Sequence, residues 1–420
     1  MNTEVTYKPT IEAVNEAANN LREVVLKTPL VKNEQYSKEF QSTILFKRED
    51  LQQVRSYKIR GSFNKISSLT SEQRKKGIVC ASAGNHAQGV ALSCKLLKIH
   101  GMIYMPSPTP KQKINQVKMF GEEYVEVVLI GDSFDDAQYA AKLESERLQK
   151  TFIHPFDDEK IIEGQATVGL EILEQAKEPI DYIFVPVGGG GLSSGLSSYI
   201  KQISPNTKII GVEPDGAPSM STSIKSGKNT SIENIDNFVD GAAVKRVGNL
   251  NFALCKENLF DMITVPEGKV CQIILDLYNK EATVIEPAGA LSIAALDTYK
   301  DEIKGKNVVC VISGSNNDIT RTAEIKERAL LYANIKHYFI IKFPQRAGAL
   351  REFVADILGP DDDITHFEYT KKTSRNNGAA VVGLELKSSK DLDPLIARMK
   401  RHNFYGDYLN DKPDLFQFLV

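Results

Sequence analysis

A lysine stands in a short motif that could place its amine in a site. The sequence from Ser56 to Gly61 reads SYKIRG. Ser56 is predicted to be a helix N-cap, because apolar residues follow it at helical spacing at Ile59, Phe63, Ile66 and Leu69. This puts Lys58 in the first helical turn. Taken alone, the motif is more typical of a solvated surface lysine.

Four consecutive glycines are the strongest local signal in the chain. Gly188, Gly189, Gly190 and Gly191, followed by Leu192, lie between a strand-like YIFVPV and a helical pattern. Consecutive glycines let backbone N–H groups converge on a phosphate dianion at a helix N-terminus. A dinucleotide fold is the rival interpretation, since the next strand-like stretch ends in Glu213, but Ser193 or Ser194 occupies the last glycine position of G-x-G-x-x-G. The sequence therefore predicts a site for the phosphate of a small cofactor.

A second loop of small residues lies between the strand-like GIVCA and an amphipathic helical pattern. It is formed by Ser82, Ala83, Gly84, Asn85 and His86. Backbone N–H groups at such a helix N-terminus suit a substrate carboxylate. A tight strand-to-helix connection that needs small residues for steric reasons is the alternative.

A fourth motif, SGSNN from Ser313 to Asn317, follows the strand-like NVVCVI. Hydroxyl groups at the carboxyl end of a parallel strand point into the ligand crevice of an open α/β sheet. An ordinary turn is the alternative interpretation of this motif.

The elements that would position these motifs alternate between short apolar strands and longer helices up to about residue 330. This order predicts an α/β fold with mainly parallel sheets covered by helices. A different module follows, with a strand at 335–343, a helix at 347–358, strands at 363–370 and 378–387, a helix at 390–402 and a tail. We therefore expect a domain over residues 1–330 and a βαββα domain over 331–420.

Composition narrows the classes of function. With 52 Lys and Arg against 54 Asp and Glu, the 420-residue chain lacks the basic surface that nucleic acid requires. No apolar run is long enough to span a membrane, and MNTEVTYKPT does not read as a signal peptide, so a cytoplasmic protein is expected. The five widely spaced cysteines contain no CxxC pair and are predicted to be buried hydrophobic residues.

Together the motifs resemble those of the threonine/serine dehydratase group of fold-type II pyridoxal phosphate (PLP) enzymes. The resemblance covers essentially the whole chain and rests on SYKIRG (56–61), SAGNHAQGVA (82–91), VPVGGGGL (185–192), DGAAVKRVG (240–248), EPAGA (286–290) and ISGSN (312–316). It implies two open, mainly parallel sheets, with a smaller lobe at roughly 50–155, and a C-terminal ACT-like regulatory domain. DGAAVKRVG and the single C-terminal module are typical of the biosynthetic, short-form threonine dehydratases.

The resemblance also implies roles for individual residues. Lys58 would hold PLP as a Schiff base and then act as the general base, and Gly188 to Leu192 would bind the phosphate. Asn85 would hydrogen-bond the phenolic oxygen of the ring, and the loop from Ser82 to His86 would receive the substrate carboxylate. Ser313 would face the pyridine nitrogen and leave it unprotonated, which weakens the ring as an electron sink and favours elimination.

The expected reaction is dehydration of L-threonine, possible also with L-serine, to a 2-oxo acid and ammonia, the committed step of isoleucine biosynthesis. Serine racemases of this fold carry a serine where this chain has Ala83, so racemisation is expected to be minor. In the C-terminal module, FPQRAGAL resembles the strand-to-helix turn of ACT-like domains. Its residues Phe343, Arg346, Gly348 and Leu350 are the expected effector contacts. Isoleucine is the implied inhibitor, with valine opposing it, in a homodimer or homotetramer.

Three alternatives stay open. The chain could be another PLP enzyme of this fold (a serine-preferring dehydratase, a racemase or a β-replacement enzyme), or a non-catalytic amino-acid sensor. The C-terminal domain could serve only to join subunits. No metal site is predicted, although Glu213 is a candidate ligand for a cation near the glycines; a surface acid at the end of a strand is the favoured interpretation of Glu213.

Overall fold

The computed structural model describes residues 7–369, 377–412 and 414–416. The chain forms two compact units, Met1–Ile319 and Thr320–Val420. The boundary predicted between residues 330 and 331 falls inside a helix, Thr322–Tyr332, that belongs to the second unit. The first six residues of MNTEVTYKPT, and Thr370 of a predicted strand, lie outside the described residues.

The first unit alternates strands and helices as the sequence predicts. Its strands are β1 (Leu30–Lys32), β2 (Thr43–Arg48), β3 (Ile78–Ala81), β4 (Gly101–Met105), β5 (Val125–Leu129), β6 (Thr151–Phe152), β7 (Tyr182–Pro186), β8 (Lys208–Pro214), β9 (Asp261–Val265) and β10 (Asn307–Ile312). Its helices are α1 (Ile11–Leu21), α2 (Glu34–Phe40), α3 (Lys58–Ser67), α4 (Ser71–Lys76), α5 (Asn85–Leu97), α6 (Lys111–Gly121), α7 (Phe134–Leu148), α8 (Glu159–Gln175), α9 (Gly191–Ile203), α10 (Ser219–Ser226), α11 (Asn249–Asn258), α12 (Glu267–Glu281) and α13 (Pro287–Ala294).

Two sheets organise this unit. The larger has the strand order β1-β2-β10-β7-β8-β9 and the smaller β5-β4-β3-β6. All neighbours in them run parallel except β1, which is antiparallel to β2. The central strands β3 and β7 are buried at every residue, because helices cover both faces of a parallel sheet. The predicted fold class, two open and mainly parallel sheets, is confirmed.

Glycines let the helices of the site approach one another closely. A Cβ atom on Gly164 of α8 would lie 2.6 Å from the backbone oxygen of Arg60 in α3, and one on Gly195 of α9 would lie 2.3 Å from the backbone oxygen of Ile162. Neither contact is compatible with a larger residue. Helix α8 therefore packs closely against both α3, which begins at Lys58, and α9, which begins at Gly191. The four glycines from Gly188 to Gly191 are called the glycine turn below.

A buried ion network also anchors α3. Arg60 pairs with Glu49 at 2.8 Å and with Glu171 of α8 at 2.8 Å, and Lys47 of β2 pairs with Glu171 at 2.5 Å. These charges are buried, so removal of one partner would leave another uncompensated, at a typical cost of about 3–5 kcal/mol. The start of α3 is thus fixed to both a strand and a helix.

The second unit contains helix α14 (Thr322–Tyr332), strand β11 (Lys336–Pro344), helix α15 (Ala349–Glu352) continued by a π-helical turn (Phe353–Ile357), strands β12 (Asp363–Tyr369) and β13 (Asn377–Glu385), helix α16 (Leu392–Arg401) and strand β14 (Tyr405–Tyr408). Its antiparallel sheet has the order β12-β13-β11-β14. The predicted βαββα order is incomplete, since the tail supplies a further strand, β14, which pairs with β11. Phe339, Phe353, Met399 and Phe404 belong to its separate hydrophobic core.

Two expectations about the chain as a whole can be compared with the structure. All five cysteines are free and buried, as predicted. Among the described residues, no helix has the length and apolar character needed to cross a membrane.

Candidate active site

Lys58 lies at the N-terminus of α3, in the first turn as predicted. The predicted cap is wrong: Tyr57, not Ser56, occupies the N-cap position, and no side chain caps the helix. Ser56 instead forms an isolated antiparallel bridge with Gly314, and the backbone N–H of Tyr57 donates to the backbone oxygen of Ser313 at 3.1 Å. These backbone contacts set Lys58 beside the carboxyl end of β10.

The amine of Lys58 donates a hydrogen bond to the backbone oxygen of Pro155 at 3.1 Å. Its side chain retains partial access to solvent, yet the protein surrounding the amine desolvates it and lowers the pKa of Lys58 to about 8. The carboxyl group of Glu286 acts in the opposite direction and raises this pKa. About a tenth of the amine is therefore neutral at pH 7, far more than in an exposed lysine, and the neutral form is the one that acts as a nucleophile or base.

The glycine turn precedes α9. Gly190 is the N-cap and adopts a φ of 95°, a left-handed conformation that favours glycine. Within the described chain, the backbone N–H groups from Gly188 to Leu192 donate to no protein acceptor outside the helix. Converging donors at a helix N-terminus form an anion site.

Two further segments pack against this turn: HPFDD (154–158), which the sequence analysis did not single out, and DGAAVKRVG (240–248), which it used only for the family resemblance. A Cβ atom on Gly189 would lie 2.2 Å from the ring of Phe156, and one on Gly188 would lie 2.9 Å from Cα of Ala242. Asn251 donates to the backbone oxygens of both Gly189, at 2.9 Å, and Phe156, at 3.0 Å. The segment HPFDD (154–158) therefore supports the glycine turn, and its residue Pro155 also accepts the hydrogen bond from the amine of Lys58.

The loop from Ser82 to His86 leads into α5, which begins at Asn85 with Gly84 as its N-cap. The hydroxyl of Ser82 accepts from the N–H of Gly84 at 3.2 Å. His86 is buried, contacts the backbone oxygen of Ile153 at 3.1 Å, and has its pKa lowered to about 3 by burial. Its imidazole is therefore neutral and already engaged, which leaves the backbone of the loop for a carboxylate. The side chain of Ala83 offers no acid or base.

Asn85 lies in a polar network that includes a residue missed by the sequence analysis as a site residue. Its Nδ2 donates to the carboxylate of Glu286 at 2.7 and 3.0 Å, and its Oδ1 accepts from Nδ2 of Asn316. Glu286 is the N-cap residue of α13, with Pro287 at the first helical position. In the sequence, EPAGA contributes only to the family resemblance, and the available signal was an acid directly before a proline that can begin a helix.

Ser313 is buried directly after β10, at the carboxyl edge of the larger sheet, as its motif predicts. The neighbouring Asn316 donates to the backbone oxygen of Val54 at 2.9 Å. The structure thereby brings Lys58, the Ser82 to His86 loop and the Ser313 motif to one place, and the backbone of Pro155 and Phe156 connects that place to the glycine turn.

Glu213 differs from its favoured interpretation as a surface acid. Its side chain is buried, and its carboxylate accepts from the backbone N–H groups of Met220 at 2.6 Å and Ser221 at 2.9 Å. The acid thus caps the start of α10, and burial raises its pKa to about 7. No cluster of three or more potential metal-binding side chains occurs in the described part of the chain.

These residues fit a phosphorylated aldehyde cofactor. A partly neutral amine suits imine formation, and the glycine turn offers N–H donors whose protein neighbours leave no room for a side chain. Lys58 would hold the aldehyde carbon of PLP and the turn its phosphate.

In the second unit, the four expected effector contacts span the end of β11, the turn after it and the start of α15. Phe343 is buried among aromatic rings, 5.4 Å from Phe353 and 5.5 Å from Phe404 between ring centroids. Gly348 is the N-cap of α15 with a φ of 83°. Arg346 pairs with Glu352, and Leu350 is 49% exposed.

Comparison with known families agrees with this geometry. Residues 21–314 match the family described as "Pyridoxal-phosphate dependent enzyme", and residues 327–419 match the "C-terminal regulatory domain of Threonine dehydratase". The two matches cover the first and second units separately.

Individual relatives point the same way. The biosynthetic L-threonine dehydratase of Halalkalibacterium halodurans is 56% identical over 98% of this chain and 99% of its own. Threonine deaminase isoform 2 of Solanum lycopersicum superposes with a TM-score of 0.72 at 40% identity, over 76% of this chain and 94% of its own. Maize serine racemase gives 0.72 at 31% identity, over 78% and 99%. The chain is therefore a pyridoxal-phosphate dependent lyase of the threonine dehydratase family.

Proposed function

We propose that this enzyme converts L-threonine to 2-oxobutanoate and ammonia, as the committed step of isoleucine biosynthesis under feedback control. The observation that carries the chemical part is the desolvated amine of Lys58, which lies in the same site as the Asn85 network. The family membership and the C-terminal regulatory domain support the metabolic part.

In the proposed reaction, PLP supplies an electron sink for the α-carbon of the substrate. The neutral amine of Lys58, once free of the cofactor, removes the α-proton as general base. The N–H groups of the Ser82 to His86 loop hold the substrate carboxylate, and those of the glycine turn hold the cofactor phosphate. Asn85 would contact the phenolic oxygen of the ring.

Ser313 determines the preference for elimination in this proposal. A neutral hydroxyl facing the pyridine nitrogen does not keep that nitrogen protonated as a carboxylate would. The ring is therefore a weaker electron sink. Loss of the β-hydroxyl then competes well against slower reactions at the α-carbon.

A racemase is the second candidate, favoured by the similarity to maize serine racemase. Ala83 argues against it. Racemisation needs an acid on the opposite face of the α-carbon, and the methyl group of Ala83 cannot supply a proton. We therefore expect only minor conversion of L- to D-amino acids.

The proposed effector site is the turn with Phe343, Arg346, Gly348 and Leu350. Isoleucine would inhibit threonine turnover, and valine would oppose this inhibition. Both effects require that the effector bind the active and inactive states of the enzyme with different affinity. The exposed apolar side chain of Leu350 and the partly exposed Arg346 suit the side chain and the carboxylate of such amino acids. The proposal includes a homodimer or homotetramer.

A cytoplasmic location belongs to the same proposal. Its support is the set of five free, buried cysteines, which fits a reducing compartment.

One experiment tests the activity and its control together. Release of 2-oxo acid is measured from L-threonine, L-serine and O-acetylserine, each with and without isoleucine and valine, alongside chiral analysis of the remaining amino acid. The proposal expects threonine to be the best substrate and isoleucine to lower its turnover. A preference for serine or O-acetylserine, rapid D-serine formation, or no turnover with PLP present would refute it.

A further inference from the structure

Glu286 lies where four of the six sequence motifs meet. Its carboxylate accepts from Asn85 in SAGNHAQGVA and from the backbone N–H of Asn316, just after Gly314 in ISGSN, at 3.2 Å. A Cβ atom on Gly314 would lie 2.5 Å from its Oε1, and one on Gly241 in DGAAVKRVG would lie 3.5 Å away. Gly314 thus leaves space that the carboxylate needs.

This carboxylate is buried, with 5% of the residue exposed, and the described residues bring no cationic side chain into ion-pair contact with it. A buried acid without a paired cation is costly for a fold. Such groups are concentrated at functional sites. The role of Glu286 is therefore expected to follow from its hydrogen bonds.

The network permits only one orientation of the Asn85 amide. Asn316 donates to Oδ1 of Asn85, while Nδ2 of Asn85 donates to Glu286. If the amide were flipped, its oxygen would face the carboxylate and its NH₂ group would face another NH₂ group. With ionised Glu286, the second hydrogen of Nδ2 stays available to a ligand.

We propose that Glu286 is a positioning residue, whose ionised carboxylate fixes the Asn85 amide so that Nδ2 is presented to the cofactor. This inference rests on the PLP-binding role proposed for Asn85 and extends it. Protonation of Glu286 would convert one of its two acceptor oxygens into an O–H donor and so weaken the constraint on the amide.

Other charges act on Glu286 from the surrounding elements. Burial raises its pKa to about 7, with Asp240 acting in the same direction and Lys113 of α6 in the opposite one. Asp240 and Lys113 pair with each other at 2.5 Å, and both Lys58 and Tyr57 experience the charge of Glu286. The orientation of Asn85 is thus expected to change with pH around neutrality.

The test compares Glu286→Gln, Asn85→Ala and the double variant, with Glu163→Gln as control because Glu163 is a buried acid of α8 held by Tyr7 and Lys160. Three quantities are measured: the affinity of the apoprotein for PLP by fluorescence titration, the absorbance spectrum of bound PLP against pH, and kcat and KM for threonine. Turnover by the wild-type enzyme is established first, so that failure of the proposed function is recognised separately.

Glu286→Gln is expected to change the cofactor spectrum and to lower kcat/KM by roughly tenfold to a hundredfold, the size expected for a misplaced catalytic contact. Because Glu286 acts through Asn85, the double variant should be no worse than the poorer single variant. Glu163→Gln should leave the spectrum as in the wild type. Multiplied effects in the double variant, or an unaltered spectrum in Glu286→Gln, would overturn the proposal.

If Glu286→Gln does not fold, the wild-type enzyme still decides the question. Its cofactor absorbance should show a transition near pH 7 that is absent in Asn85→Ala. A transition that persists without the Asn85 amide would contradict the inference.

Discussion

The two strand-to-helix turns that carry the proposed ligand sites are built differently. In the first unit, the Ser82 to His86 loop belongs to a network in which Asn85, Glu286 and Asn316 are joined by hydrogen bonds. In the second unit, the turn from Phe343 to Leu350 has a local ion pair and an exposed apolar side chain. The polar groups of the first turn are already held in place without a ligand. In the second turn, the exposed side chain of Leu350 is free to contact a ligand.

This difference matches the two tasks proposed for the turns. A reaction is faster when the catalytic groups are held in place beforehand, because no reorganisation is then needed to reach the transition state. A regulatory site gains from contacts that form in only one of two states, since only differential binding shifts an equilibrium. We therefore expect substitutions of the active-site residues in the first unit to abolish function and substitutions in the turn of the second unit to alter only its control.

The largest effect is expected from Lys58→Ala. Loss of the amine removes both the attachment point of the cofactor and the general base, so kcat/KM for threonine should fall at least about 10³-fold. The measurement is 2-oxo-acid release together with the absorbance of bound PLP. Lys76→Ala on the neighbouring helix α4 is the control and should behave like the wild type. Substantial turnover in Lys58→Ala would show that Lys58 is neither the attachment point of the cofactor nor the general base.

A methyl group in the glycine turn should act next most strongly. Gly189→Ala would push a Cβ into the ring of Phe156, and overpacking of this kind costs about 1–3 kcal/mol. The dissociation constant for PLP should therefore rise roughly tenfold to a hundredfold in equilibrium titrations.

The matched control for this substitution is Gly169→Ala in α8. Its Cβ would meet Ile200 and the backbone oxygen of Leu196 at an ordinary 3.4 Å, so the affinity for PLP should stay at the wild-type value. Equal affinities in the two variants would show that the glycine turn does not contribute to phosphate binding.

The pH dependence of cofactor attachment is expected to reveal the desolvated amine. Because burial lowers the pKa of Lys58 to about 8, the amine becomes a nucleophile above that pH. The rate constant for PLP attachment to the apoprotein should rise with pH through a midpoint near 8 and then level off. Stopped-flow absorbance measures this rate. A rise that continues to the pKa of an exposed lysine, near 10.4, would mean that the site does not desolvate its base.

The smallest effect is expected in the second unit. Leu350→Asp places a charge on an exposed apolar side chain of the turn and should raise the isoleucine concentration for half-inhibition about tenfold, by roughly 1.4 kcal/mol of binding. The measurement is the ratio of threonine turnover with and without isoleucine in the same variant. Leu129→Asp, on an exposed strand residue of the first unit, is the control and should keep the wild-type ratio. An unaltered response in Leu350→Asp would place the effector site elsewhere.

The sequence determined the alternation of strands and helices, the parallel sheets and the turns at their carboxyl ends. Local patterns suffice for these features, because hydrophobic periodicity and glycine act over a few neighbouring residues. The same reasoning failed at Ser56, where a bridge to Gly314 takes precedence over capping, and at β14, a short strand in a polar tail. In both cases the partner is distant in sequence.

Only the tertiary structure decided how the site works. Asn85 and Glu286 are 201 positions apart, and Lys58 and the oxygen of Pro155 are 97 positions apart. The lowered pKa of Lys58 and the engaged imidazole of His86 both depend on surroundings that distant segments supply. Residue type sets what a group can donate, accept or ionise; burial and partners set whether it does so, and these arise only when the chain has folded.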